Sequence, residues 1–219
     1  MSSSTWVDSY DFSAFGTHKN IVRELTEVLE NRQGVRFYSS HQFKKCIPSM
    51  PEDLLGLFLK LLPDLEGIAL ELGSGSGIFS HFASIWMEAY GIEKRMELVD
   101  YATQTGHMLG TNGNKNPDFI YGRFTPTGFE SNNGARVSTN AAQNASLFYG
   151  FPWPNNFKPI TNLFLTVAPI ESRLVLNLSS TFNMYGHQID LERRCQGLSF
   201  DYSQAPYLIM QKTDRFSVN

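Results

Sequence analysis

Apolar positions along the chain change their rhythm near Gly67, and the change splits the sequence into two expected parts. Before it, Ile21, Val22, Leu25, Val28 and Leu29 recur at helical spacing with Glu and Arg between them, which predicts an amphipathic helix ending near Gly34. A mixed aromatic and basic connector, VRFYSSHQFKKCIP, follows. Ser49 and Glu52 then stand at capping-box spacing with Pro51 in the first turn. Leu54, Leu55, Phe58, Leu59 and Leu62 supply the apolar face of a second helix that Pro63 ends.

After Gly67, short apolar runs alternate with helical segments, the pattern of a layered α/β domain with a largely parallel sheet. The expected strands are IALEL (68–72), MELVD (96–100), DFIYGRF (118–124), ASLFYGF (145–151) and RLVLNL (173–178). A helix carrying Phe79, Phe82, Trp86 and Tyr90 is expected between the first two, and Phe157, Ile160, Phe164 and Val167 mark one between the last two. A loop rich in Asn, Ser, Thr and Gly is expected over 130–144, and a short helix near Asp190 to Arg194. GLSFDYS (197–203) and PYLIMQK (206–212) lie so close in sequence that they must pair antiparallel. The expected division is an N-terminal helical cap, 1–62, and a core, 63–219, within one structural domain.

The length suits one domain with one core. With 42% hydrophobic and 18% charged residues the composition is that of a soluble globular protein, and the 13% of aromatic residues fill a core or line a pocket. A net charge of -3 gives no global basic footprint of the kind nucleic-acid binding requires, so nucleic acid is not the expected partner. Cys46 and Cys195 are far apart and in no metal-ligand spacing, so both read as free thiols of a reducing compartment and no metal is expected. MSSSTWVDSYDF lacks the basic start and apolar run of a signal peptide, and no apolar stretch approaches the ~18 residues of a membrane span. A cytoplasmic protein, monomeric or dimeric, is the expectation.

Chemistry concentrates in IALELGSGSGIFS, residues 68–80. Three glycines at a strand-to-helix junction let backbone approach a ligand closely, and the helix start that follows offers free N–H groups. A nucleoside-triphosphate loop would need GxxxxGK, and no lysine lies in this turn. A dinucleotide fingerprint would want Gly or Ala where the chain has Ile78. What remains is Glu-x-Gly-x-Gly-x-Gly, with Glu71 two residues before Gly73, followed by Ser74, Gly75 and Gly77.

This stretch resembles the first motif of class I S-adenosylmethionine-dependent methyltransferases. The resemblance spans about 155 residues, from Gly67 onward, and extends to the order of elements. It implies a seven-stranded, mostly parallel, Rossmann-like sheet with an antiparallel last strand and helices on both faces. It also implies S-adenosyl-L-methionine as cofactor, with S-adenosyl-L-homocysteine as product. Glu71 would lie under the amino-acid end of that ligand and the glycine N–H groups would face its carboxylate. Asp100, expected at the end of the second strand with Tyr101 after it, would accept the ribose hydroxyls. After the third strand the chain reads YGRFTP, where many members place an acid for the adenine amino group, so Phe124 is left to stack on the ring.

In family terms the fourth motif follows the fourth strand, at YGFPWPNNF. Adenine-methylating members have Asn or Asp followed by Pro-Pro and an aromatic there, whereas Gly150 and Phe151 stand in the first two places here. A small-molecule acceptor fits better. Tyr149 would reach the cofactor, and Phe151, Trp153 and Asn155, with Tyr185 after the fifth strand and Tyr38 from the connector, would line the acceptor site. Methyl transfer from a sulfonium is an in-line displacement of an activated group, so positioning supplies most of the acceleration. His187 or His41 would act as base where the acceptor must lose a proton. The rival expectations are methylation of RNA or adenine, and a non-catalytic binding protein on the same fold.

Overall fold

Helix α1 (Lys19–Arg36) follows two 3-10 turns, Trp6–Ser9 and Phe12–His18, and α2 (Pro51–Leu61) runs into a third, Leu62–Asp64, that contains Pro63. Then come β1 (Ile68–Leu72), α3 (Ile78–Ala83), β2 (Glu88–Glu93), α4 (Met96–Leu109), β3 (Asp118–Thr125), β4 (Gly128–Ser131), α5 (Thr139–Gln143) and β5 (Ala145–Gly150). The chain continues through α6 (Phe157–Val167), β6 (Arg173–Asn177), β7 (Leu198–Gln204) and β8 (Tyr207–Lys212). This is a computed structural model, and it describes residues 6–36, 51–109, 116–125, 128–132, 139–151, 157–178, 198–204 and 207–213.

The strands form one eight-stranded sheet in the order β4-β3-β2-β1-β5-β6-β8-β7. Strands β3, β2, β1, β5 and β6 are parallel, so their carboxyl ends share one edge. Strand β8 runs antiparallel between β6 and β7, as the short link between the last two strands requires. The eighth strand is one more than the seven expected. It arises because β3 continues past the end of β2 and turns back as β4, which runs into the first two residues of the 130–144 stretch expected to be loop; α5 occupies the end of that stretch.

MELVD is helix, not strand. Met96 opens α4, and Leu98, Val99, Ala102, Thr105 and Gly106 are its buried positions, a stripe at helical spacing that a five-residue window cannot display. The second strand is EAYGIE, which was expected to continue the preceding helix. Helix α3 stops at Ala83 instead, and Trp86 and Met87 close a turn onto Ala83 O, so that Glu88 enters the sheet at once. Glu, Ala and Gly are poor strand formers, and that hid the strand. Gly91 is nonetheless required there, because a Cβ would lie 2.6 Å from the Phe119 ring and 2.8 Å from Ser74 Cβ.

Two apolar layers cover the sheet. On one face Ala69, Leu147, Tyr149, Val175, Tyr207 and Ile209 pack against α2, α3 and the N-terminal turns. On the other, Leu70, Leu72, Ile92, Phe148, Leu174, Leu176, Leu208 and Met210 pack against α6. In the first layer aromatic rings follow one another: Phe15 on Trp86, Trp86 on Phe58, Phe58 on Phe79 and Phe79 on Tyr149, the last pair at 4.1 Å and 7°. The N-terminal segment is thus continuous with the core. In the second layer Lys212 closes α6 by donating from Nζ to Leu165 O and Ala168 O at 2.8 and 2.7 Å, satisfying carbonyls at the helix end.

Candidate functional site

The glycine turn lies where β1 leaves the carboxyl edge. Gly73, Gly75 and Gly77 have φ of 76°, 54° and 75°, left-handed values that side chains resist. The turn is anchored by Gly73 and Ser74 N–H groups donating to Ile92 O at 2.8 and 3.0 Å. Gly77 caps α3 and has no room for a side chain: a Cβ would meet Phe119 Cε1 at 2.3 Å. Gly73 differs, for nothing stands within 4 Å of its Cβ position. Bare backbone therefore faces open space at Gly73 and a packed ring at Gly77.

Two buried carboxylates support the turn. Glu71, 5% exposed, points to the α3 side of the sheet and accepts from Ser80 N–H at 3.0 Å and Ser80 Oγ at 2.7 Å, both through Oε2. It thereby satisfies a free N–H of the first turn of α3. Burial pushes its carboxyl up to about 8; the Ser80 donors act the other way, and the Glu93 charge adds to the rise. Glu93, at the carboxyl end of β2, accepts from Gly75 N–H through Oε2 at 3.0 Å. Its Oε1 takes the N–H and Nε of Arg95, each at 3.1 Å.

Asp100 does not join this group. It lies in α4 on an exposed position, with Tyr101 half-buried beside it on the same helix. The acid at the end of the second strand is Glu93, sixteen residues past Gly77 where Asp100 is 23 past it. Once EAYGIE is read as a strand its closing acid is plain, and the strand-end position expected of Asp100 belongs to Glu93. Phe124 is also placed elsewhere: it pairs with Phe129 across the hairpin and packs into the second layer, on the sheet face away from Glu71.

Tyr149 is level with Glu71 on the neighbouring strand and is 1% exposed. Asn177 Nδ2 donates to its hydroxyl at 3.4 Å. Tyr207 stands opposite Asn177 across the β6–β8 ladder, and its buried hydroxyl has no hydrogen-bond partner among the described residues; burial, with the nearby Tyr149 and Asp53, drives its pKa upward. Sequence reasoning passed over Asn177 and Tyr207 because each reads as one polar residue inside an apolar run. Phe151 leaves β5 at the same edge, half-buried. Tyr38, His41, Trp153, Asn155, Tyr185 and His187 lie outside the described residues, as do Ser49 and the helix expected at 190–194. Among the described residues, no three His, Cys, Asp or Glu side chains gather as metal ligands, and no helix is long and apolar enough to cross a membrane.

No protein-family model and no curated protein matches the sequence. Solved structures do resemble the fold. An RNA methyltransferase from Salinibacter ruber, in complex with S-adenosyl-L-homocysteine, superposes with a TM-score of 0.50 at 13% identity over 79% of this chain and 98% of its own. The tRNA (m1A58) methyltransferase TrmI from Aquifex aeolicus gives 0.52 at 15% over 78% and 72%. The 16S rRNA N2 G1207 methyltransferase RsmC from T. thermophilus, in complex with AdoMet and guanosine, gives 0.55 at 14% over 80% of this chain and 45% of its own. The chain has the Rossmann-like fold of class I methyltransferases.

Proposed function

We propose that this protein is an S-adenosyl-L-methionine-dependent methyltransferase. The observation that carries this reading is Glu93, a carboxylate at the carboxyl end of β2, held directly under a glycine turn whose backbone is open at Gly73. Ligands of open α/β sheets bind at that edge, and an acid at the second strand end suits a ribose diol. Glu93 retains acceptor capacity on Oε2 after bonding Gly75, since a carboxylate offers about four lone-pair sites. The residues present fit the donor: Glu93 for the ribose, the turn at Gly73 to Gly77 for the amino-acid end, and Glu71 as the negative charge beneath its cationic groups. The donor supplies an already activated methyl group when bound. What the chain contributes is orientation and the exclusion of water, and Phe151, half-buried just past the end of β5, would face an acceptor at that edge.

A small molecule is the acceptor favoured by the acidic composition and by Gly150-Phe151 in place of the polar residue that adenine methylation uses. RNA is the second reading, because the three fold neighbours above are RNA methyltransferases. Calorimetry with S-adenosyl-L-methionine tests the donor. Micromolar binding that Glu93→Ala weakens by tenfold or more supports the reading; no binding to the wild-type chain overturns it. Transfer of labelled methyl to small-molecule extract or to total RNA then decides the acceptor. Label in neither, with donor bound, would leave a binding protein instead of an enzyme.

A further inference from the structure

The glycine turn stands on two buried carboxylates, and the described residues provide a cation for only one of them. Glu93 has Arg95 at 3.1 Å. Glu71 takes hydrogen bonds from the Ser80 N–H, the Ser80 hydroxyl and the Phe79 backbone, and has no salt bridge among the described residues. Ser80 and Phe79 approach it from α3, Gly91 is level with it on β2, and Tyr149 is level with it on β5. Glu93 is the charged group whose field reaches it, and that field is of the same sign. The titratable side chain of α3 itself, His81, packs on Phe119. A second feature of the turn points to a ligand: Ser74 Oγ is buried and has no hydrogen-bond partner among the described residues.

Two neighbouring carboxylates in low dielectric share a strong cost of double ionisation. Burial, the larger cause, and the like charge of Glu93 both raise the Glu71 carboxyl, so the proton resides on Glu71. A protonated carboxyl is a poor partner for a cation, and the empty valence of Ser74 Oγ is one that an ammonium N–H fills.

We propose that the turn receives a ligand cation and that its binding is coupled to release of one proton from Glu71. The inference rests on the donor reading above and specifies how that site responds to pH. On binding, the Glu71 O–H bond breaks, the proton passes to buffer, and the carboxylate left behind keeps both Ser80 donors while facing the new positive charge. Affinity for a cationic donor therefore climbs as pH rises toward about 8 and levels off above it, where Glu71 is already ionised.

Titration calorimetry of the full chain at pH 7, repeated in phosphate and in Tris, counts the protons because the two buffers differ in ionisation enthalpy. With S-adenosyl-L-methionine, whose sulfonium makes it a net cation, release of about one proton is expected, falling toward none at about pH 9. S-adenosyl-L-homocysteine, a zwitterion without net charge, is expected to release fewer. Glu71→Gln should bind with the same enthalpy in both buffers. Ser80→Ala removes one donor and should move the release to higher pH, a check that stands even where the Gln variant does not fold. Binding with no buffer dependence in the wild type, or with equal dependence in Glu71→Gln, overturns the proposal. Absence of any binding overturns the donor reading, and this inference with it.

Discussion

The backbone N–H of Gly75 donates to Glu93 Oε2 at 3.0 Å, joining the turn after β1 to the end of β2. The bond fixes which acid serves the turn. Replacing Glu93 by Ala removes both the anchor and the candidate ribose ligand, so donor affinity should fall by tenfold or more. Asp100→Ala, on the exposed side of α4, should leave affinity within twofold. Calorimetry on the two variants side by side checks the assignment, and a reversed order would refute it.

The glycines of the turn are not equivalent. Gly77→Ala meets both a left-handed backbone and the Phe119 ring, and overpacking of that kind costs ~1–3 kcal/mol in addition to ~1 kcal/mol of backbone strain. Gly73→Ala meets the backbone cost alone, ~1 kcal/mol. Denaturant titration should place Gly77→Ala well below Gly73→Ala in stability. Equal losses would mean that Phe119 yields freely.

Glu71 gives the fold a pH dependence of its own. Its carboxyl lies near 4.5 when exposed and is raised to about 8 in the folded chain, so the folded state holds the proton more tightly. Its contribution to stability is therefore full below about pH 4.5 and is lost progressively as pH rises to about 8. Unfolding midpoints for Glu71→Gln, measured across that window without ligand, should be flatter than those of the wild type. A parallel pair of curves would count against the buried proton.

Tyr207 and Lys212 predict opposite outcomes on the same strand. The Tyr207 hydroxyl is buried without a partner among the described residues, so Tyr207→Phe should be neutral or stabilising by up to ~1–3 kcal/mol. The Lys212 ammonium caps α6, and Lys212→Met leaves Leu165 O and Ala168 O without that donor, a loss of ~1–3 kcal/mol. Thermal unfolding distinguishes them; a large loss in Tyr207→Phe would show that its hydroxyl is bonded after all.

Much of the fold was legible because periodicity and topology agree. IALEL, ASLFYGF and RLVLNL are apolar on both faces, as buried parallel strands must be, and α6 carries an unbroken helical stripe. The failures are local and share a cause. EAYGIE is held as a strand by its neighbours and by the space Gly91 frees for Phe119, which no propensity records. MELVD has the composition of a strand and the burial pattern of a helix only when read on to Thr105. Glu71 and the glycines were visible as a motif, whereas Glu93 became visible only with β2 in place. Tyr207 and Asn177 needed the β6–β8 pairing, a relation between residues 30 apart.

The ring sequence from Phe15 through Trp86, Phe58 and Phe79 to Tyr149 has a practical consequence for anyone handling the protein. Residues 6–18 look dispensable, being short turns ahead of the first long helix, yet Val7, Phe12 and Phe15 are buried in the same apolar layer as α3. Trimming them for expression would uncover Trp86 and leave a sticky aromatic surface on a chain that still contains its glycine turn. Indole emission at Trp86 offers a built-in gauge of whether that segment is seated.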